Sequence, residues 1–188
     1  CEQDRRSACL TVFGHVFPMH DFANSRYVML WGMNILGANQ GLWESRALLQ
    51  AKKKGCKLVV VDPNFTETAQ KADEWIPIRP GTDGALALAM CRVIIDESLY
   101  DKDFVERYCE GFAGFRDHLR DKGYTAEWAA EITGIDAPRI ARLAREFATT
   151  KPAMSAIFKG SGYYTNGGDA ARACYILDAL TGQVDNPG

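Results

Sequence analysis

Apolar positions along this chain fall into two kinds of block. Tyr27–Val28–Met29–Leu30–Trp31 and Leu58–Val59–Val60–Val61 are short continuous apolar runs that stop at turn residues, Gly32–Met33–Asn34 and Asp62–Pro63. Runs of that length predict strands over 27–31 and 57–61 that are buried on both faces. Between them, Leu42, Ala47, Leu48 and Ala51 recur at helical spacing within residues 40–54. Lys52–Lys53–Lys54 then suit the negative helix end and Gly55 supplies the stop, so the lysines read as a solvated last turn. Strand, helix, strand is a βαβ unit, and open parallel sheets bind ligands beyond the carboxyl ends of their strands.

The pattern continues beyond that unit. Thr66 caps a short helix with Glu67 in its first turn, running to about Asp73. Ile76–Pro77–Ile78–Arg79 reads as a short strand that Pro77 confines to an edge. The turn Pro80–Gly81–Thr82–Asp83 leads into a helix, Ala85 to Asp96, that is apolar nearly all round and therefore deeply buried. Amphipathic helices follow near 101–108, 125–132 and 136–149, the last with the stripe Ile140, Leu143, Ala144 and Phe147. Residues 153–158 form another core strand that ends in Lys159–Gly160–Ser161–Gly162, and a helix of about 169–181 closes the chain. Residues 1–26 show no strong period. The alternation predicts an α/β fold, a Rossmann-like three-layer αβα domain with a mainly parallel sheet. That domain is expected to occupy 1–188, with residues 1–26 entering from a preceding domain.

Composition narrows the function classes. A formal charge of −2 gives no electrostatic reason to expect nucleic acid or an anionic membrane as partner. No apolar run approaches the roughly 20 residues that span a bilayer. Cysteines at positions 1, 9, 56, 91, 109 and 174 contain no Cys-x-x-Cys pair, which argues against a disulfide scaffold or a cysteine-only zinc site. They read as reduced, buried small hydrophobes. Arg5–Arg6 precede the run 7–13, but Gly14, His15 and Pro18 break it too early for a twin-arginine export signal. The start at Cys1 and the stop in a loop at Gly188 read as a piece of a longer protein.

Four loops rich in small or polar residues then gather at one sheet edge: Gly32–Met33–Asn34, Asp62–Pro63–Asn64–Phe65–Thr66, Pro80–Gly81–Thr82–Asp83 and Gly160–Ser161–Gly162. Glycines let a ligand approach the backbone, and amides at helix starts favour a phosphate. A carboxylate after the second strand accepts two donors at once, as a ribose or a base edge requires. Each loop alone reads as an ordinary turn or cap; together they describe a nucleotide-shaped ligand along the edge. Gly-x-Gly-x-x-Gly, the P-loop and the Gly-x-Ser-x-Gly elbow are all missing, which argues against an ordinary nicotinamide site and leaves no P-loop and no hydrolase elbow. His15 and His20 read as a satisfied polar loop in preference to a metal pair, and His118 as an exposed helix residue.

At these loops the chain resembles the molybdopterin oxidoreductases of the dimethyl sulfoxide reductase and formate dehydrogenase family. The matching residues run Trp31–Gly32–Met33–Asn34, then Val60–Val61–Asp62–Pro63 with Thr66, Thr68 and Ala69. They continue through Ala72–Asp73, Ile78–Arg79–Pro80–Gly81–Thr82–Asp83, Leu86, Val93–Ile94–Ile95, Leu99–Tyr100–Asp101, Glu131–Ile132–Thr133–Gly134 and Leu180–Thr181–Gly182.

The resemblance implies an internal domain that holds half of a bis(molybdopterin guanine dinucleotide) cofactor carrying molybdenum or tungsten. Gly32 and Asn34 would meet the pyrophosphate and its polar neighbours, Asp62 and Thr66 the ribose and guanine, and Asp83 the guanine amino edge; Pro63 and Gly81 would also bind the cofactor. Gly160, Ser161 and Gly162 would lie against the pterin side. Cys1 falls near the place of the family's metal ligand, and a thiolate suits such a centre.

The resemblance further implies two-electron or oxygen-atom transfer at the metal. A [4Fe-4S] cluster outside this chain and an iron–sulfur partner subunit would serve electron transfer, and the resemblance allows a membrane anchor besides. The alternative is a noncatalytic scaffold subunit of a respiratory complex. Two departures stand out: relatives commonly carry proline at position 35 and arginine at position 64, where this chain has Ile35 and Asn64.

Overall fold

The computed structural model describes residues 3–16, 19–37 and 41–187. Four strands, β1 (Tyr27–Trp31), β2 (Lys57–Val61), β3 (Glu74–Ile76) and β4 (Ala153–Ile157), form one all-parallel sheet in the order β3-β2-β1-β4. The helices are α1 (Gln3–Phe13), α2 (Leu42–Lys53), α3 (Glu67–Gln70), α4 (Asp83–Asp96), α5 (Lys102–Tyr108), α6 (Phe112–Asp121), α7 (Ala126–Thr133), α8 (Ala137–Thr149), α9 (Lys159–Gly162) and α10 (Gly167–Thr181). The layered α/β architecture is the one the strand–helix alternation predicts.

The strands are apolar throughout because both faces of the sheet are covered. Tyr27, Met29, Trp31, Val59, Val61 and Ile76 point into the layer built from α1, α4, α7, α8 and α10. Val28, Leu30, Leu58, Val60 and Ala156 point the other way, against Leu48 and Ala51 of α2 and Phe22 of a 3-10 turn, Phe22–Asn24. Two-period alternation puts neighbours on opposite faces, so a continuous apolar run is what a doubly covered strand needs. Each Leu or Val so buried contributes about 1.5–3 kcal/mol. In the thicker layer α4 lies against α10, with Gly84 close enough to Ala170 that an added Cβ would stand 3.1 Å from the Ala170 Cα. The small residue sets that spacing.

Several elements differ from the sequence reading. Residues 3–13 form a helix although no period marks them, because Arg5, Ala8 and Cys9 are buried among exposed Gln3, Arg6 and Leu10. That buried face mixes a charge with small side chains, so apolarity does not trace it. The short strand is Glu74–Ile76, not 76–79: Glu74 and Trp75 pair with Val59 and Val60, and Pro77, which has no N–H to donate, stops the ladder. It does lie at the sheet edge. The helix after Thr66 ends at Gln70, before Asp73, whose amide donates to the Leu58 carbonyl and whose carboxylate accepts from the Leu58 amide. Residues 159–162 form a helical turn where a loop was expected. Cys9, Cys56, Cys91 and Cys174 are free and buried and Cys109 is free and half-buried, as reduced core residues should be.

The β4 edge is closed by side chains. The Ala153 amide donates to Gln183 Oε1 at 3.1 Å and the Ser155 amide to Asp178 Oδ1 at 2.9 Å. Asp178 is buried in α10, and desolvation pushes its carboxyl well above the usual carboxylate range. A carboxyl raised by folding stabilises the protein below the unfolded value, and that stability is lost as pH rises. Asp178→Asn keeps an acceptor for Ser155 without the charge. It should raise the melting temperature by a few degrees at pH 7 and give no gain near pH 4, which thermal denaturation at the two pH values measures.

Candidate functional site

Because all four strands are parallel, their carboxyl ends reach one rim. The chain runs outward from β1 through β2 to β3, then returns to place β4 on the other side of β1. The crevice between β1 and β4 is therefore the topological switch point, where open α/β sheets bind ligands. Gly32 follows β1 and Gly160 follows β4, and their backbones meet there. The Gly160 amide donates to the Gly32 carbonyl at 3.2 Å. A Cβ on Gly32 would stand 2.8 Å from the Gly160 Cα, and one on Gly160 would stand 2.8 Å from the Gly32 Cα. Gly32 also holds φ +56°, a conformation that costs other residues about 1–2 kcal/mol.

One strand away, two carboxylates occupy the rim. Asp62, just after β2, is 7% exposed, and Asp83, at the start of α4, is 4% exposed. Asp62 Oδ1 accepts from the Asn64 amide at 2.8 Å, and the Trp75 indole donates to the Asp62 carbonyl at 2.8 Å. Burial raises the Asp62 carboxyl above its usual range, and the Asn64 amide only partly offsets this. Burial pushes Asp83 to about 6, with the Asp62 charge adding to the rise. The positive start of α4 favours a carboxylate, yet desolvation wins.

The remaining predicted residues divide between the rim and its supports. Asn34 Oδ1 accepts from the Thr68 hydroxyl at 2.8 Å and from its amide at 3.2 Å, while its Nδ2 donates to Glu67 at 2.8 Å. It thus ties the loop after β1 to α3. Thr66 caps α3 through the Ala69 amide, and Pro63 is exposed beside Asp62. Gly81 turns at φ +77° under the ring of Tyr164, and its carbonyl accepts from Asn166 Nδ2 at 3.1 Å. Ser161 is buried in the helical turn after Gly160, and Gly162 has open space where a Cβ would stand. Cys1 lies outside the described residues.

Other residues at the rim were not singled out in the sequence. Tyr164 and Asn166 latch the loop after β4 onto the Gly81 turn, and Trp75 braces Asp62; no motif marks them. Arg79, quoted within a matching motif, donates to the carbonyls of Glu131 and Ile132, so its charge closes the end of α7. Beside the crevice, Arg5 and Lys159 flank the Phe158 ring at 5.5 and 5.4 Å, in a cleft of about 200 Å³ that Gly162 also lines. A cavity of about 680 Å³ runs along the β4 edge past Asp178 and Gln183. It is remote from Asp62 and Asp83, so cavity size does not locate this site. His20 lies beside Glu44 at 3.8 Å and Phe22, and no cluster of three metal-ligating side chains occurs among the described residues.

The molybdopterin oxidoreductase family model matches residues 5–188. The chain belongs to the molybdopterin oxidoreductase family. Acetylene hydratase of Syntrophotalea acetylenica is 42% identical over 172 residues, which is 90% of this chain and 23% of that protein. Dimethyl sulfoxide reductase DmsA of Haemophilus influenzae is 39% identical over 88% of this chain and 23% of its own length. The thiosulfate reductase molybdopterin-containing subunit PhsA of Salmonella typhimurium is 35% identical over 100% of this chain and 24% of its own. A solved acetylene hydratase from Pelobacter acetylenicus superposes with a TM-score of 0.88 and 38% identity over 99% of this chain and 25% of that one. The chain therefore spans about a quarter of the length of these relatives.

The two crevice glycines differ sharply from Gly162 in what they tolerate. Gly32→Ala should lower stability by at least about 2 kcal/mol, from the positive φ plus the backbone clash. Gly162→Ala should change stability by less than about 0.5 kcal/mol. Urea unfolding of the two variants measures both.

Proposed function

We propose that this chain is the domain of a molybdenum or tungsten oxidoreductase that seats the nucleotide end of one molybdopterin guanine dinucleotide. The observation that carries this reading is the pair of buried carboxylates, Asp62 and Asp83, beside a crevice floored by backbone alone. Guanine presents a ring N–H and an exocyclic amino group, and a carboxylate can accept from both at once. Side-chain-free glycines at the switch point admit a pyrophosphate close to the chain. Arg5 and Lys159 bring positive charge to the same end of the sheet, in place of the arginine that position 64 lacks. Residues and ligand therefore fit in shape, charge and hydrogen-bonding sense.

Asn34 and Thr66 act through the loops they hold. When bound, the cofactor supplies two-electron redox or oxygen-atom chemistry at its metal; the domain supplies position and hydrogen bonds. Gly160, Ser161 and Gly162 approach its pterin side, and Cys1 supplies a thiolate to the metal. In the whole protein, [4Fe-4S] chemistry would carry electrons to an iron–sulfur partner subunit. Substrate choice lies outside this domain, since relatives named for acetylene, sulfoxide and thiosulfate chemistry resemble it at 35–42% identity. A scaffold subunit would have no use for two buried carboxylates that cost stability, which favours a cofactor-binding role.

The full-length protein, purified without oxygen, should contain molybdenum or tungsten and release two guanosine monophosphates per metal on acid hydrolysis. Elemental analysis and chromatography measure both, and a metal-free protein that releases no guanine nucleotide would overturn the reading. Cys1→Ala in that protein should abolish turnover while leaving the nucleotide content unchanged.

Acidity gives a second check. The acceptor is the ionised Asp83, whose carboxyl takes up its proton near pH 6 in the free protein. Affinity for guanosine monophosphate should therefore be flat above pH 7 and fall as pH drops to 5. Asp83→Asn should weaken binding by about tenfold at pH 7, the value of one charge-assisted hydrogen bond, and flatten most of the pH dependence. Titration calorimetry follows both.

A further inference from the structure

The loop that carries Asp62 also carries Phe65, an aromatic ring left 58% exposed beside the buried acids. Its position is fixed. The Asn64 amide bonds to Asp62 Oδ1 at 2.8 Å, the Thr66 amide bonds to the Asn64 carbonyl at 3.0 Å, and Thr66 caps α3. The Phe65 ring centroid is 5.0 Å from that of Trp75 at an interplanar angle of 59°, and the Trp75 indole is itself bonded to the Asp62 carbonyl. One side of Phe65 is therefore braced on a ring locked to the site, while the rest faces solvent.

An exposed phenylalanine on a loop this constrained covers no core. It offers an aromatic face within the loop whose carboxylate would read a base edge. We propose that Phe65 is the stacking platform for the base of the bound nucleotide, with Asp62 and Asp83 reading that base's edge. This rests on the nucleotide seat argued above and adds a positioning residue to it.

The geometry of the sheet is consistent with this. Neighbouring strands lie about 4.8 Å apart. A base over the ends of β2 and β3 thus stands roughly two strand spacings, about 10 Å, from the middle of the β1–β4 crevice. That span suits a nucleoside whose phosphates reach Gly32 and Gly160. Stacking is tolerant of base identity, because every base has a π-face, whereas edge hydrogen bonds are not. Phe65 should therefore govern how tightly a nucleotide is held, and the two acids which nucleotide is held.

The test uses full-length protein stripped of cofactor, with guanosine and cytidine 5′-monophosphates as probes. Phe65→Leu should weaken guanosine monophosphate roughly tenfold, the loss of one stacked base, whereas Phe65→Tyr should bind within about twofold of wild type. Phe65→Leu should leave the ratio of the two nucleotides' affinities closer to wild type than Asp62→Asn does. Tryptophan emission should be the same in Phe65→Leu and wild type, because leucine still covers Trp75. Wild-type affinity in Phe65→Leu would overturn the platform while leaving the nucleotide seat standing. Equal losses in the leucine and tyrosine variants would also overturn it, since packing rather than the ring face would then be at work. Wild-type protein that binds neither nucleotide would overturn the seat, and the platform with it.

Discussion

The contact between the Gly32 and Gly160 backbones is the constraint on which the rest of the rim depends. An added Cβ on either would come within 2.8 Å of the other's Cα. Only glycine on both sides lets β1 and β4 pair along their full five-residue registers and still turn apart at their ends. That turning apart makes the switch-point crevice. The loop after β1 then runs to Asn34, whose side chain fastens it to α3, and the segment after β4 rises to Tyr164 and Asn166, which latch onto the Gly81 turn. Through these ties the position of Asp83, two residues past Gly81, is linked to a pair of glycines on the other side of the sheet.

The rim carries an electrostatic imbalance that the ion pairs of the helical layer do not share. Elsewhere charges are matched: Glu74 on β3 accepts from Arg139 and Arg142, Lys57 reaches Glu146, and the carboxyls of Glu74 and Glu146 lie below their usual range. Among the described residues no such cation pairs with Asp62 or Asp83, and both carboxyls are raised. A carboxyl raised by folding subtracts stability once pH exceeds its unfolded value. Two neighbouring acids that both subtract at neutral pH mark a place where the fold is arranged for something other than its own stability. Asp178 shows the alternative use of a buried carboxyl, since its oxygen closes the β4 edge by accepting the Ser155 amide. Among the described residues no comparable tie from the Asp83 side chain to another element is seen, and Asp83 lies 4% exposed at the start of α4.

The sequence was most legible where a single physical demand governs a segment. β1 and β2 appear at the predicted boundaries because double-sided burial requires an unbroken apolar run, and Gly32 and Asp62 end those runs abruptly. The stripe Ile140, Leu143, Ala144 and Phe147 lies buried on α8 for the same reason. Legibility failed where two demands overlap. β3 was read two residues too late because Ile76 and Ile78 look like its core, while the ladder requires amides that Pro77 does not have. Helix α1 was missed because its buried face includes Arg5, whose guanidinium packs on Phe158. The candidate site was legible as four loops. Its internal wiring was not, because Trp75, Tyr164 and Asn166 act through contacts between segments distant in the chain.

Asn34 ties the rim together. Its oxygen accepts from Thr68 and its nitrogen donates one of its two hydrogens to Glu67. The side chain is therefore a tie rod between the β1 loop and α3, with one amide hydrogen left over. The space at Gly37 is part of the same joint, since a Cβ there would stand 2.3 Å from Asn34 Nδ2 and 2.5 Å from Glu67. The same loop is held at Ile35, which is buried in the α2-side core and whose carbonyl accepts from Ser45 of α2 at 2.9 Å. Packing and one hydrogen bond thus fix the loop after β1 from the α2 side. Asn64 is different in kind. Its amide completes the Asp62 turn as any residue's would, but its side chain brings no charge. Arg5 and Lys159, which flank Phe158, put positive charge at the β4 end of the rim.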